Sequence, residues 1–130
     1  MIVGLGVDAV EIERFREWPS YSQARLCKIY STGELQYSLS EPVKAAERLA
    51  ARFAAKEAAY KALNSYLPAG MDLMYFCQLV EVVKNAAGAP FLQIQAGRLG
   101  ISEPKLHILL TLCHTGTTAI AVVLAELRPN

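Results

Sequence analysis

Residues 40–64 read Ser-Glu-Pro-Val-Lys-Ala-Ala-Glu-Arg-Leu-Ala-Ala-Arg-Phe-Ala-Ala-Lys-Glu-Ala-Ala-Tyr-Lys-Ala-Leu-Asn, and this stretch decides the architecture. Alanine dominates it, which favours helix because alanine loses no side-chain entropy on folding. Ser40 has the chemistry of an N-cap and Pro42 suits a first turn, so the sequence predicts one helix over 41–64. Leu49, Ala50, Phe53, Ala54, Glu57, Ala58 and Lys61 recur at helical spacing along one stripe. Two charges thus sit on a mostly apolar face, where a charge must be paired or must bind something.

Working toward the N-terminus, residues 2–7 are short, apolar and β-rich and predict a strand. Val3, Leu5 and Val7 point to one face; Gly4, Gly6 and Asp8 point to the other, where another element or a ligand can come close. Asp8 and Glu11 stand at capping-box spacing, which predicts a short helix over 9–17. A second helix is expected over 20–30, with Leu26, Ile29 and Tyr30 inward, and Ser31 with Glu34 marks a third beginning at Thr32. Beyond the long helix the pattern predicts a loop over 65–72, a strand over 76–84, a turn over 85–90 and a strand over 91–95. An irregular segment follows over 97–104, then a hairpin of 106–113 and 117–127 around His114-Thr115-Gly116. The class is α+β: one long helix packed on an antiparallel β-sheet, in a single domain spanning 1–130.

Composition narrows the functions. Hydrophobic residues make up 53% of the 130 and charged residues 19%, more apolar surface than a compact monomer of this size easily hides. Burial between subunits is the natural outlet. A net charge of +1 argues against non-specific nucleic-acid binding. The apolar run near 119–125 is too short to cross a membrane, and Asp8 and Glu11 interrupt any signal-peptide pattern. Cys27, Cys77 and Cys113 are odd in number and lack CxxC spacing, so a reducing, cytoplasmic location is expected.

Several residues carry two readings from the local sequence. Asp8 is either an N-cap or a metal ligand at the end of a glycine-lined strand. Glu57 and Lys61 are either an i,i+4 pair or a carboxylate for a hard cation beside an ammonium for a phosphate. His114 is either a solvent-exposed turn histidine or a phosphate or nucleotide contact. Arg14, Arg16, Arg25 and Lys28 are either a solvated face or a docking patch for an acidic partner. Gly4-Leu5-Gly6 lacks the third glycine of a dinucleotide fingerprint. The two histidines, His107 and His114, have no cysteine pattern suited to zinc.

Taken together, these pieces resemble one family. The segment Gly4-Leu5-Gly6-Val7-Asp8-Ala9-Val10-Glu11-Ile12-Glu13-Arg14 is similar to the opening motif of the holo-acyl-carrier-protein synthases. Arg52-Phe53-Ala54-Ala55-Lys56-Glu57-Ala58-Ala59-Tyr60-Lys61-Ala62-Leu63 is similar to their central helix motif, and Tyr30-Ser31 with Glu34 to a weaker third block. Gly88 and Pro90 before a strand, then His114-Thr115, keep the family's order. The resemblance implies the 4′-phosphopantetheinyl transferase fold and transfer of phosphopantetheine from coenzyme A to a serine of apo acyl carrier protein, with release of 3′,5′-ADP. It implies that Asp8 and Glu57 hold Mg2+, that Glu57 helps deprotonate the serine, and that Lys61 stabilises charge on the pyrophosphate. Arg52 and His114 would contact the nucleotide 3′-phosphate, and Arg14 would face the carrier protein. Short members of the family form homotrimers with active sites between subunits, and a chain of this length resembles those.

The chain also departs from the family pattern. Where a Gly-Thr-Gly-like loop is usual, it has Asn64-Ser65-Tyr66-Leu67-Pro68; where a Gly-Lys-Pro turn is usual, it has Gly88-Ala89-Pro90; and Cys113 replaces a serine or threonine. Two alternatives follow: a non-catalytic trimer that binds coenzyme A or a carrier protein, and a metal-dependent nucleotide pyrophosphatase needing no protein acceptor.

Overall fold

The alanine-rich stretch forms α3, Ala45–Ala62, and in the computed structural model, which describes residues 1–129, most of the other elements pack against it. Leu49, Ala50, Ala54, Ala55, Ala58 and Ala59 have no exposed surface. Alanine on most of the circumference lets neighbours approach the helix from several sides. The helix begins later than the sequence predicts. Ser40 closes the preceding helix α2, Thr32–Leu39, instead of capping α3, and Pro42–Lys44 forms a separate 3-10 turn. The proline at the head of that turn starts a helical turn without supplying an N–H.

The strand predicted over 2–7 is longer: β1 spans Ile2–Glu11. It pairs antiparallel with β5, Thr118–Leu127, which pairs in turn with β4, Leu106–His114, giving the sheet order β1-β5-β4. Asp8 lies opposite Ala121 and Glu11 opposite Thr118, so Asp8 caps no helix and Glu11, at the strand end, precedes a 3-10 turn without a side-chain cap hydrogen bond. The helix expected over 9–17 is two 3-10 turns, Ile12–Phe15 and Trp18–Ser20, and that expected over 20–30 is only α1, Gln23–Leu26. The Ser31–Glu34 capping box forms at the head of α2 as expected.

A Cβ on Gly4 or Gly6 would overlap the carbonyl oxygen of Ala62 or Ala58, so the helix backbone lies directly on β1. Ala119, Ala121, Val123 and Ala125 of β5 are fully buried on the same side. The outer face of this sheet differs: Leu5, Val7 and Leu109 remain 67%, 55% and 49% exposed.

The remaining strands make a separate two-stranded ladder. Residues 76–78, expected to be strand, belong to the helix α4, Leu73–Gln78, capped by Asp72; β2 is Val80–Lys84 and β3 is Pro90–Ile94. Gly88, at φ +85°, makes the intervening turn, where the Asn85 side chain accepts from the N–H groups of Ala87 and Ala89. The segment expected to be irregular contains α5, Ala96–Leu99.

A buried ion pair ties these parts together. The Lys56 ammonium meets Glu34 Oε1 at 2.6 Å and donates to the carbonyls of Ile29 and Cys77. Glu34 also accepts from the N–H groups of Ser31 and Val82. Burial holds the nearby Cys77 thiol at about 11, which leaves it inert.

Candidate functional site

Two clusters of chemistry-bearing side chains form on different faces of α3. The first follows from the glycines of β1. Because Gly4 and Gly6 bring the helix onto the strand, Asp8, the next residue on the same face, meets the helix flank carrying Glu57 and Lys61. Asp8 is 11% exposed. Its Oδ1 accepts from Lys61 Nζ at 3.3 Å, and Lys61 also donates to the Val7 carbonyl at 3.0 Å. Asp8 Oδ2 is buried without a partner. An orphaned carboxylate oxygen is costly and marks a place for a cation or a proton. Burial, then the neighbouring Asp8 carboxyl, push the Glu57 carboxyl above the usual range, with Lys61 and Arg14 opposing. Two acids and one ammonium thus share a site.

That donor set suits magnesium. Hard oxygen donors and a few carboxylates, completed by phosphate oxygens and waters, are its usual environment. Among the described residues, no group of three or more His, Cys, Asp or Glu side chains gathers to hold an ion. The Asp8–Glu57 pair would therefore need substrate and water to complete the shell.

Arg14 lies at the rim of this cluster, on the 3-10 turn Ile12–Phe15, with its guanidinium carbon 5.8 Å from the Phe53 ring centroid. Arg25 stacks on Tyr21 at 3.8 Å and lines, with Trp18, Lys28 and Met74, an open groove of about 300 Å3.

The second cluster contains Arg52 and His114. Arg52 precedes Glu57 by five residues, which turns it about 140° around the helix axis. Both residues line a pocket of about 230 Å3 with Tyr37, Lys44, Arg48 and Lys84. Arg52 is 5% exposed, its Nε has no partner, and burial lowers its pKa. His114 Nε2 lies 3.0 Å from Glu47 Oε1. The structure thus brings Asp8, Glu57 and Lys61 together, and separately Arg52 with His114.

Sequence reasoning missed the other pocket cations. Arg48 and Arg52 stand four apart on the helix, a like-charge spacing that is unfavourable unless something binds between them, and that signal was available. Lys84 carried no such signal. In the departing segment, Asn64–Tyr66 is a 3-10 turn in which Tyr66 donates to the Leu63 carbonyl.

Comparisons with known proteins cover nearly the whole chain. A model of the 4′-phosphopantetheinyl transferase superfamily matches residues 4–123. The chain is 41% identical over 128 residues to a holo-[acyl-carrier-protein] synthase of Treponema denticola, covering 97% of this chain and 99% of that protein. It superposes on a Bacillus anthracis holo-(acyl-carrier-protein) synthase in complex with CoA (3′,5′-ADP) with TM-score 0.75 at 25% identity, covering 98% and 99% of the two chains. The ACPS–CoA complex of Chronobacterium ammoniagenes gives TM-score 0.79 at 27% identity, covering 96% and 97%.

Proposed function

Since the chain belongs to the 4′-phosphopantetheinyl transferase superfamily, we propose that Asp8, Glu57 and Lys61 are the reaction centre of a holo-acyl-carrier-protein synthase. The activity is transfer of the phosphopantetheine group from coenzyme A to an apo acyl carrier protein. The observation that carries the site assignment is the meeting of Asp8, its Oδ2 unpartnered, with Glu57 and Lys61 where β1 and α3 touch.

The chemistry then follows. Asp8 and Glu57 would hold magnesium, which supplies positive charge against the pyrophosphate oxygens. Glu57, raised by burial and by Asp8, is suited to receive the proton of the acceptor serine hydroxyl. The serine oxygen forms a bond to the phosphorus bearing pantetheine, the bond from that phosphorus to the bridging oxygen breaks, and 3′,5′-ADP leaves with the electron pair. Lys61 offers its ammonium to the charge that gathers on the leaving oxygen. Arg52 and His114 receive the 3′-phosphate of the nucleotide, and Arg14, with Arg25 and Lys28, faces the acidic carrier.

A homotrimer is part of this reading. The exposed apolar row of Leu5, Val7 and Leu109 supports subunit contact. So does the placement of the two clusters on different faces of one helix, which suits sites completed between subunits. No helix among the described residues is long and apolar enough to cross a membrane. The free thiols Cys27, Cys77 and Cys113 support a cytoplasmic location.

The test is intact-mass spectrometry of an apo acyl carrier protein incubated with this protein, coenzyme A and magnesium, with and without chelator. A chelator-sensitive gain of one phosphopantetheine is expected. No gain with several carriers would favour the binding-only trimer, and release of 3′,5′-ADP without carrier would favour a pyrophosphatase.

A further inference from the structure

Ala89 leaves the turn between β2 and β3 without a cation, yet the pocket beside that turn receives one from the strand. Lys84, the last residue of β2, stands in register with Pro90, the first of β3. Its ammonium donates a 2.6 Å hydrogen bond to the Tyr37 hydroxyl and lies 4.4 Å from the ring centroid. The guanidinium carbons of Arg48 and Arg52 each lie 4.3 Å from the centroid of the same ring. Three cations therefore converge on one aromatic side chain, and all of them line the pocket that contains His114.

Cations so gathered repel one another, and each contact with the ring returns only about 0.5–2 kcal/mol. Arg48 has a counter-ion, Glu41, at 2.9 Å. Lys84 instead gives its hydrogen bond to a neutral hydroxyl, and Arg52 gives one to the Arg48 carbonyl while its buried Nε goes unpartnered. Glu47 on the pocket wall lies against His114 Nε2 at 3.0 Å, so among the described residues Lys84 and Arg52 are the pocket cations with no carboxylate partner, and positive charge held in this way is arranged for an anion. The Tyr37 hydroxyl, kept below the usual phenol range chiefly by the Lys84 hydrogen bond, anchors the lysine at the pocket wall.

We propose that Lys84 and Tyr37 set specificity for a phosphate monoester in this pocket, with Lys84 binding the phosphate and Tyr37 holding Lys84 and Arg52 around it. The proposal rests on the reading that Arg52 and His114 receive the 3′-phosphate of coenzyme A. A dianionic monoester gains much more from an added cation than a neutral 3′-hydroxyl does, so the pair separates coenzyme A from its 3′-dephosphorylated form. A strand residue fixed by β-pairing takes the place of a cation on the turn.

Calorimetric titration of the full chain with adenosine 3′,5′-bisphosphate and with adenosine 5′-monophosphate tests this. The unmodified protein is expected to prefer the bisphosphate. Lys84→Met is expected to weaken the bisphosphate roughly tenfold, the scale of one lost charge-assisted hydrogen bond, and to leave the monophosphate unchanged. Tyr37→Phe, which keeps the ring and removes the hydroxyl, is expected to lose a smaller part of the same preference. Lys84 is exposed, so its replacement is expected to leave the circular dichroism spectrum intact. An unmodified protein without preference overturns the placement of the 3′-phosphate and this proposal with it. A preference that survives intact in Lys84→Met overturns this proposal alone, as does equal weakening of both ligands.

Discussion

Lys56 and Glu34 form an ion pair of 2.6 Å in which neither side chain has any exposed surface. The pair joins α3 to the head of α2, and through further hydrogen bonds to β2 and to the end of α4. Removing one partner strands the other charge in the core, a loss of about 3–5 kcal/mol. Lys56→Met is therefore expected to lower the denaturation midpoint sharply, and Lys56→Met with Glu34→Gln to recover part of the loss. Urea unfolding followed by circular dichroism measures both. A single variant within about 1 kcal/mol of the parent would mean that water reaches the pair.

Glu57→Gln is expected to stabilise the metal-free protein while abolishing transfer. The Glu57 carboxyl is raised in the folded protein, first by burial and then by Asp8. The folded state therefore holds this proton more tightly than the unfolded state. The associated stability is full below the ordinary carboxylate pKa and is lost as pH rises through the raised one. Above that raised pKa the ionised Glu57 is a net cost that glutamine removes. Melting in chelator should rise in the variant. Added magnesium should raise the melting temperature of the parent and leave the variant nearly unmoved. A variant that melts lower in chelator would remove the like-charge account of the site.

The candidate site was legible where chemistry conflicts with its local setting. Glu57 and Lys61 interrupt an apolar stripe, and Asp8 follows two glycines whose missing side chains admit α3. Lys56 and Lys84 gave no such conflict. A lysine on an alanine-rich helix or at a strand end reads as solvated, and only partners distant in sequence, Glu34 and Tyr37, reveal otherwise. The same limit governs the fold. Asp8 and Glu11 look like a capping box until β5, more than a hundred residues later in the chain, claims them for a ladder. Residues 76–78 of the helix Leu73–Gln78 read as strand because their apolar side chains run into those of β2, although Asp72, which accepts from the Tyr75 N–H, marks the start of a helix.

Leu5→Lys is expected to break subunit assembly and transfer together. Leu5 is 67% exposed and sits in a cross-strand row with Leu124 and Leu109 on the outer sheet face. A lysine there costs the isolated chain little, because the position faces water, but it places a charge at the centre of an apolar contact. Sedimentation should show a shift from trimer to monomer with the helical spectrum kept. Transfer should fall with the trimer if the sites are completed between subunits. A monomer with full activity would place a whole site in one chain.

Arg14→Glu separates docking from chemistry. Arg14 is exposed on the 3-10 turn beside the carboxylate cluster, against Phe15 and Phe53. A cation there attracts an acidic carrier mainly by speeding encounter, an effect screened beyond about 8 Å at physiological salt. Charge reversal is expected to raise KM for the carrier roughly tenfold at low ionic strength, with a smaller ratio as salt increases. Affinity for coenzyme A should change little, because Arg52 and Lys84, the cations proposed to bind the nucleotide 3′-phosphate, line a separate pocket on another face of α3. Steady-state rates at two salt concentrations measure the effect. A salt-independent loss shared equally by carrier and coenzyme A would assign Arg14 to the reaction centre itself and leave the docking surface to Arg25 and Lys28.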